Sequence, residues 1–231
     1  MSDFQNILAL DTALGGCVAA VVAGEREAVR CEAMVRGQAE RLIPFAQEVM
    51  EEAGLDYGDL DAVLCTIGPG AFTGLRIGMS AARAFGLSLD IPVIGVTTLQ
   101  ALAMNYVAEH GLDCSVVLET KRSDFYIQDF NAQGLAVSAP RAELAEVLLK
   151  ALPRNSVLIG DGVVRFINEI HGLWNDVDYG YGLADMAMVA QVLQDQGLVD
   201  GVFERDARPV YLRDADVSMP KKASRILEGA G

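Results

Sequence analysis

The chain has 231 residues, of which 52% are hydrophobic, enough for one large domain or two compact lobes and too apolar for a disordered chain. Its 32 acidic and 18 basic residues give a formal net charge of −14. This charge argues against independent binding to nucleic acid, because such binding depends on lysine and arginine displacing counterions from phosphates. Any role with RNA would therefore pass through a more basic partner.

Neither the N-terminal residues nor the apolar runs of the sequence indicate a membrane protein. The N-terminal residues carry no positive region followed by an apolar segment, and no run reaches the roughly 20 apolar residues of a membrane span. The cysteines at 17, 31, 65 and 114 form no Cys-x-x-Cys pair, so we expect buried free thiols. These features predict a cytoplasmic protein.

The first hundred residues predict the order β-β-β-α-β-α-β-α. Apolar runs at 6–11, 17–23 and 27–34, interrupted at Gly15-Gly16 and at Gly24, predict three strands joined by tight turns. Strands are expected at 61–67 and 92–96, with helices at 73–89 and 97–109. The helix that ends at Gly54 is predicted by one apolar stripe at helical spacing, formed by Leu42, Phe45, Ala46, Val49, Met50 and Ala53.

The second half repeats this alternation less fully. Strands are expected at 114–119, around 125–130 and at 157–159, and helices at 141–152 and 183–196. Three strands followed by alternating helices and strands predict an α/β fold of the actin-like (ASKHA) kind in two lobes. We assign 1–100 to the first lobe, 101–217 to an abbreviated second lobe, and 218–231 to a flexible tail.

The most informative segment is the glycine-rich turn that follows the strand at 61–67. Gly68 and Gly70 let another group approach the backbone closely, and Thr73 is expected to be the N-cap of the next helix. Such a turn can hold an anion at the helix N-terminus, but no Gly-Lys-Ser/Thr follows, and a structural turn is the simpler interpretation. Asp11 and Thr12, which end the first strand, complete this set of candidate phosphate contacts.

Small residues recur every fourth position along the helix after the turn, at Gly74, Gly78, Ala82 and Gly86. They form a bare strip on one side, although glycine costs about 1 kcal/mol relative to alanine inside a helix. Close approach of another backbone would offset that cost. The approaching element could belong to the same chain or to a partner.

Several residues that catalysis would require are missing from the sequence. The two histidines form no His-x-x-x-His pair, and no Gly-x-Ser-x-Gly motif is present. No carboxylate pair can be singled out as acid and base. The sequence therefore predicts no catalytic residues and no metal site.

Five segments of the sequence are distinctive: Ile67-Gly-Pro-Gly-Ala-Phe-Thr-Gly-Leu-Arg-Ile-Gly78, Ile7-Leu-Ala-Leu-Asp-Thr12, Glu40-Arg-Leu-Ile-Pro44, Pro92-Val-Ile-Gly-Val-Thr-Thr-Leu99 and Pro209-Val-Tyr-Leu-Arg213. Through these segments the sequence resembles the TsaB (YeaZ) family, the accessory subunits of tRNA threonylcarbamoyladenosine synthesis. The sequence departs from the family at Gly37-Gln38, where a histidine is frequent, and at 119–126, where the family reads Asp-Ala-Arg.

The resemblance implies an ASKHA fold without an active site of its own. Such a protein pairs with a TsaD-type catalytic subunit, joins a TsaE-type ATPase, reaches tRNA only through the complex, and can form a homodimer when alone. It implies no cofactor of its own, with any nucleotide held at the subunit interface of the complex. Pairing would use the first-lobe helices, through Leu42, Phe45, Val49, Gly74, Gly78, Ala81, Ala82 and Phe85.

Two alternatives remain open from the sequence. The first is a small actin-like phosphotransferase that uses Asp11 and the loop at 68–74 on ATP. The second is a metalloprotease, a label given to the family by fold analogy. Bound ATP or stoichiometric metal would distinguish these enzymes from a scaffold.

Overall fold

The structure is a computed structural model that describes residues 4–153, 157–178 and 181–212. Over these ranges the strands are β1 Asn6–Asp11, β2 Gly16–Ala23, β3 Arg26–Ala33, β4 Ala62–Thr66, β5 Val93–Val96, β6 Cys114–Glu119, β7 Asp124–Phe130, β8 Arg141–Leu144, β9 Val157–Ile159 and β10 Phe203–Glu204. The helices are α1 Gln38–Ala53, α2 Phe72–Leu89, α3 Thr98–His110, α4 Ala145–Ala151, α5 Val163–Glu169 and α6 Met186–Gln196. The predicted tail at 218–231 lies outside the described residues.

The strands form two mixed sheets. The first sheet has the order β10-β5-β4-β1-β2-β3, in which β1, β4 and β5 are parallel and the outer strands pair antiparallel. The second has the order β8-β7-β6-β9, with β6 parallel to β9. The carboxyl ends of β1 and β4 therefore lie side by side, and this places their two loops together.

The two sheets and their helices stack in five layers with three apolar cores. Helices α1 and α2 cover one face of the first sheet, α3 and α6 fill the space between the two sheets, and α4 and α5 cover the outer face of the second sheet. This arrangement confirms the predicted α/β class. Because the first sheet is covered on both faces, its strands β2 and β4 are largely apolar.

Helix α1 forms where the apolar stripe predicts it. All six stripe residues are buried. The helix is bounded by two glycines in the left-handed region, Gly37 with φ 100° and Gly54 with φ 66°, a conformation that glycine adopts at little cost. The stripe thus faces the first sheet, within the core formed by α1, α2 and β2.

Three expectations about the second half, and one about the cysteines, are corrected. The helix expected at 141–152 begins only at Ala145, because Arg141–Leu144 pairs with β7 as a strand. Neither α5 nor β10 was expected. The lobe boundary also differs, since α6 packs against β1 and β2 and β10 joins the first sheet, which returns the chain to the first lobe after the second sheet. Finally, Cys31 is exposed, whereas the other three thiols are buried.

Candidate functional site

The glycine loop between β4 and α2 lies directly against the turn that follows β1. The Ala71 amide donates to the carbonyl oxygen of Ala13 at 2.7 Å, and the Thr12 hydroxyl donates to the carbonyl oxygen of Gly74 at 2.7 Å. Gly68 has φ 101°, a backbone conformation that favours glycine. The two loops are therefore locked to each other at the carboxyl end of the first sheet.

The first two positions of the glycine strip of α2 are filled by this same turn. A Cβ atom would lie 2.0 Å from the Thr12 oxygen at Gly74 and 2.7 Å from the Thr12 Oγ1 at Gly78, and one on Gly70, just before the helix, would lie 2.4 Å from the Ala13 oxygen. At the last position of the strip, a Cβ atom on Gly86 would lie 2.4 Å from a methyl group of Val93 in β5. Close approach within the chain therefore accounts for the small residues on this side of α2.

Asp11 is sealed beneath the turn. Its side chain accepts hydrogen bonds from the Thr66 hydroxyl at 2.5 Å and from the Ala13 amide at 2.8 Å, and the residue is 1% exposed. Burial raises the pKa of this carboxyl, because removing an ion from water disfavours its charged form. Asp11 thus fixes the β1–β2 turn and β4 instead of facing solvent.

The five candidate phosphate contacts are divided by the structure. Gly70 and Thr73 line an open cleft, whereas Asp11, Thr12 and Gly68 are buried. The expected cap is also corrected, because the N-cap of α2 is Ala71, without a side-chain cap, and Thr73 is an exposed residue of the first turn. Ala71 has an extended backbone and α2 begins at the next residue, so Thr73 is the second residue of the helix.

The cleft has a volume of about 1230 Å³ and lies between the two sheets at the end of the glycine loop. Its first-lobe wall consists of the β1–β2 turn, the segment 34–40 and the first turns of α2, and its second-lobe wall consists of 119–122 with Tyr126 and Asp161. Charges of both signs line it: Arg36, Arg76, Lys121, Arg122, Glu40, Glu119 and Asp161. Basic groups are thus concentrated here in an otherwise acidic chain.

An ion-pair network stiffens the second-lobe wall. The Arg165 guanidinium binds both carboxylate oxygens of Glu119, at 2.7 and 2.9 Å, and donates to the Asp124 carbonyl at 2.7 Å. The same group stacks 3.7 Å from the centroid of Phe125. The guanidinium, with its hydrogen bonds, contributes to holding the pKa of Glu119 below its usual value. The segment that departs from the family pattern at 119–126 is therefore held by a residue of α5.

Asp161 joins this wall through backbone contacts. Its carboxylate accepts a hydrogen bond from the Glu119 amide at 2.9 Å. Although the residue is exposed, partial desolvation of the carboxyl against β6, aided by the Glu119 charge, raises its pKa to about 6. A Cβ on Gly160 would lie 2.4 Å from the Val117 oxygen, and one on Gly162 would lie 2.8 Å from the Leu118 carbonyl carbon. The loop Gly160-Asp-Gly162 therefore packs directly on the backbone of β6.

The residues expected at a partner interface are mostly interior. Leu42, Phe45 and Val49 face the first sheet, while Gly74, Gly78 and Ala82 are buried against the chain itself. This burial corrects the expected residue set, because a buried side chain offers no surface to a partner. Ala81 and Phe85 are half-buried, and Phe85 stacks on Tyr57 with ring centroids 5.3 Å apart.

The outer side of the same two helices is open to solvent. On α2, Ser80, Ala84 and Leu87 are exposed and fall at i, i+4 and i+7, so they share one face. On α1, Ile43 and Gln47 are exposed. Leu87 is 87% exposed and Ile43 is 48% exposed. We call these five residues the outer face. All of them except Gln47 are small or apolar.

Two kinds of feature are absent from the part of the chain that the structure describes. No three or more histidine, cysteine, aspartate or glutamate residues come together there in a way that could hold a metal ion. In the same ranges, no helix combines the length and the apolar character that crossing a lipid bilayer requires.

The chain is similar to proteins of tRNA modification. The family model described as "TsaD: tRNA N6-adenosine threonylcarbamoyltransferase" matches residues 29–150, slightly more than half of the chain. The tRNA threonylcarbamoyladenosine biosynthesis protein TsaB of Escherichia coli is 25% identical over 226 residues, which cover 97% of this chain and 89% of that protein. An uncharacterized protein of Mycobacterium tuberculosis is 40% identical over 129 residues, covering 53% of this chain and 57% of that protein.

A solved structure shares the fold. YeaZ from Pseudomonas aeruginosa superimposes with a TM-score of 0.74 at 26% identity, covering 92% of this chain and all of the other. The two-lobed α/β architecture is therefore shared over nearly the whole chain. The sequence match to the mycobacterial relatives is shorter, and it spans 57% of their length.

Proposed function

We propose that the chain acts in tRNA threonylcarbamoyladenosine biosynthesis as a noncatalytic subunit. The proposal follows from its family, because the chain belongs to the family of the TsaD model and within it to the TsaB (YeaZ) branch. Its partner would be a TsaD-type threonylcarbamoyltransferase, which makes N6-threonylcarbamoyladenosine next to the anticodon. The chain would serve as a scaffold and bring no cofactor of its own.

The burial of Asp11 is the observation that carries the noncatalytic part. In a phosphotransferase of this fold, an acidic residue at the end of β1 must face the nucleotide phosphates and their metal. Here that carboxylate is 1% exposed and accepts two hydrogen bonds from its own chain. Thr12 likewise uses its hydroxyl on Gly74. The two side chains that would contact a nucleotide are therefore engaged in hydrogen bonds within their own chain.

The pairing surface that we propose is the outer face of α1 and α2. Its small residues Ser80 and Ala84 would let a partner helix approach closely, and Leu87 and Ile43 supply apolar contact area. Exposed apolar side chains on neighbouring helices are typical of a surface that a partner covers. This surface keeps the predicted helices and replaces the buried residues by the exposed ones beside them.

The remaining partners follow from the same proposal. A net charge of −14 disfavours direct contact with RNA, so tRNA would be reached through the complex in the cytoplasm. A TsaE-type ATPase would join the pair, and any nucleotide would lie at an interface of the complex. Without its partner, the chain could cover the outer face with a second copy.

Reconstitution tests the proposal directly. Purified chain is combined with a TsaD-type subunit and the other components of the modification reaction, and threonylcarbamoyladenosine in tRNA is scored with and without it. We expect modification only when the chain is present. Tight binding of ATP and magnesium by the isolated chain, measured by calorimetry, would instead favour a phosphotransferase.

The outer face is tested by placing a large charged side chain on it. Ala84→Arg should weaken pairing at least tenfold in a pull-down titration, because the added side chain prevents close helix approach. Ala151→Arg is the matched control, since Ala151 is an exposed alanine at the end of α4, in the outer layer of the second sheet. Equal binding by the two variants would place the interface elsewhere.

A further inference from the structure

The segment 205–212, here called the strap, crosses the first lobe beside the glycine loop. It leaves β10, buries Ala207 to 3% exposure in the core beneath α2, and ends at the cleft with Tyr211 and Leu212. The carbonyl oxygen of Ala207 accepts a hydrogen bond from Arg83 of α2 at 2.7 Å. The Val210 amide donates to the carbonyl oxygen of Ile67 at 2.8 Å. The strap therefore contacts both the loop and the helix that follows it.

Two glycines make room for the strap. A Cβ on Gly68 would lie 3.0 Å from the Val210 oxygen, and one on Gly95 would lie 3.3 Å from the Cα of Ala207 and 2.8 Å from a methyl group of Ile67. A glycine inside a strand usually marks such a close backbone approach. Gly95 of β5 is explained in this way, because the strap and the end of β4 fill the space that a side chain would take.

The end of the strap also holds the first turn of α2. The ring of Tyr211 lies 5.9 Å from that of Phe72, and the guanidinium of Arg76 covers the Phe72 ring at 3.7 Å. Both rings remain about half exposed, at 50% for Tyr211 and 53% for Phe72. The stack is therefore a surface contact between the strap and the helix start.

We propose that the strap is a positioning element that fixes the glycine loop and the first turn of α2, and so sets the orientation of the outer face for pairing. The loop is held from one side by Thr12 and Ala13 and from the other by Val210 and Tyr211. Because α2 begins at this loop, releasing either side shifts the helix start. The pairing part of this proposal rests on the proposed function, whereas the fixing of the loop does not.

Hydrogen–deuterium exchange on the full chain tests the fixing of the loop. Val210→Pro removes the backbone donor to Ile67 and replaces a half-buried valine side chain, and Tyr211→Ala removes the ring contact. Each should raise exchange across 67–76 by about fivefold to tenfold, the effect of losing one hydrogen bond or a similar contact. Exchange in β7 and α4 should stay unchanged. Wild-type exchange across 67–76 in both variants would overturn the proposal.

Two controls separate positioning from a general loss of stability. Arg208→Ala removes an exposed side chain that pairs with Asp206 and should leave exchange unchanged, and Tyr211→Phe should restore the wild-type profile because the ring remains. If Val210→Pro fails to fold, as judged by circular dichroism, the pair Tyr211→Ala and Tyr211→Phe decides the outcome.

The affinity for a TsaD-type subunit tests the link to pairing. Val210→Pro should raise the Kd about fivefold to tenfold, matching its effect on exchange, while Arg208→Ala should leave it unchanged. An unchanged Kd together with faster exchange would overturn the link to pairing. If the wild-type chain does not bind at all, the proposed function and this link both fail, and exchange alone decides whether the strap fixes the loop.

Discussion

Replacing Gly74 with alanine tests whether the glycine strip of α2 is filled from within the chain. The added methyl group would lie 2.0 Å from the carbonyl oxygen of Thr12. That oxygen belongs to backbone at the end of a buried strand, and Thr12 is 1% exposed. The clash is therefore with an atom that cannot rotate away.

The expected loss follows from two opposing effects. Alanine inside a helix gains about 1 kcal/mol over glycine, whereas overpacking a well-filled interior usually costs about 1–3 kcal/mol and occasionally more. Because the obstacle here is backbone, the cost should lie at or above the upper end of that range. We therefore expect the free energy of unfolding to fall by roughly 2 kcal/mol or more.

Urea denaturation followed by circular dichroism measures this change. The matched control is Gly58→Ala, because a Cβ there meets no atom within 4 Å and the backbone needs no positive φ; it should be neutral or stabilising by up to about 1 kcal/mol. A Gly74→Ala variant as stable as the control would refute the intramolecular account. In that case the strip would be open to a partner helix.

Three further predictions concern the cleft walls and the contacts that support them. Thr12→Val keeps the shape of the side chain but removes the hydroxyl donor to Gly74, so the free energy of unfolding should fall by about 1–3 kcal/mol; an unchanged urea midpoint would contradict this. Arg165→Lys loses the paired contacts to Glu119 and should cost roughly 1–2 kcal/mol, with Arg208→Lys on the exposed surface as an unaffected control. Asp161 has a pKa raised from 3.8 to about 6, so its stabilising contribution is present below 3.8 and is lost as the pH rises through about 6. Asp161→Asn should therefore gain stability relative to wild type as the pH rises from 4.5 to 7. If the difference between the urea midpoints of the two proteins does not change with pH, the pKa of Asp161 is not raised.

Local patterns predicted most elements of the first lobe, because their signals lie within one segment. The six-residue stripe of α1 is buried as its spacing predicts, and β1 has its expected bounds. The second half was predicted less well, since its elements are short. Helix α5 has 7 residues and β10 has 2, too few for a period to be recognised.

The candidate site depends on contacts that no local pattern contains. Thr12 and Gly74 are 62 positions apart, and Glu119 and Arg165 are 46 apart. A strip of small residues indicates that something comes close, but only the fold shows that the approaching group is Thr12. For the same reason, the interior placement of Phe45 and Ala82 could not be separated from a partner interface on periodicity alone.

The two sides of α2 differ in what they contact, and we propose that this difference separates stability from pairing. The inner side carries glycines because the turn after β1 must contact the helix backbone, and this contact keeps Asp11 and Thr12 away from the cleft. The outer side carries Ser80, Ala84 and Leu87, which no element of the described chain buries. A change on the inner side should therefore lower stability, while a change on the outer side should lower only the affinity for the partner. Measuring both quantities on both variants separates the two sides. Gly74→Ala should lower the free energy of unfolding and leave the affinity of the folded protein unchanged. Ala84→Arg should lower the affinity and leave the free energy of unfolding unchanged.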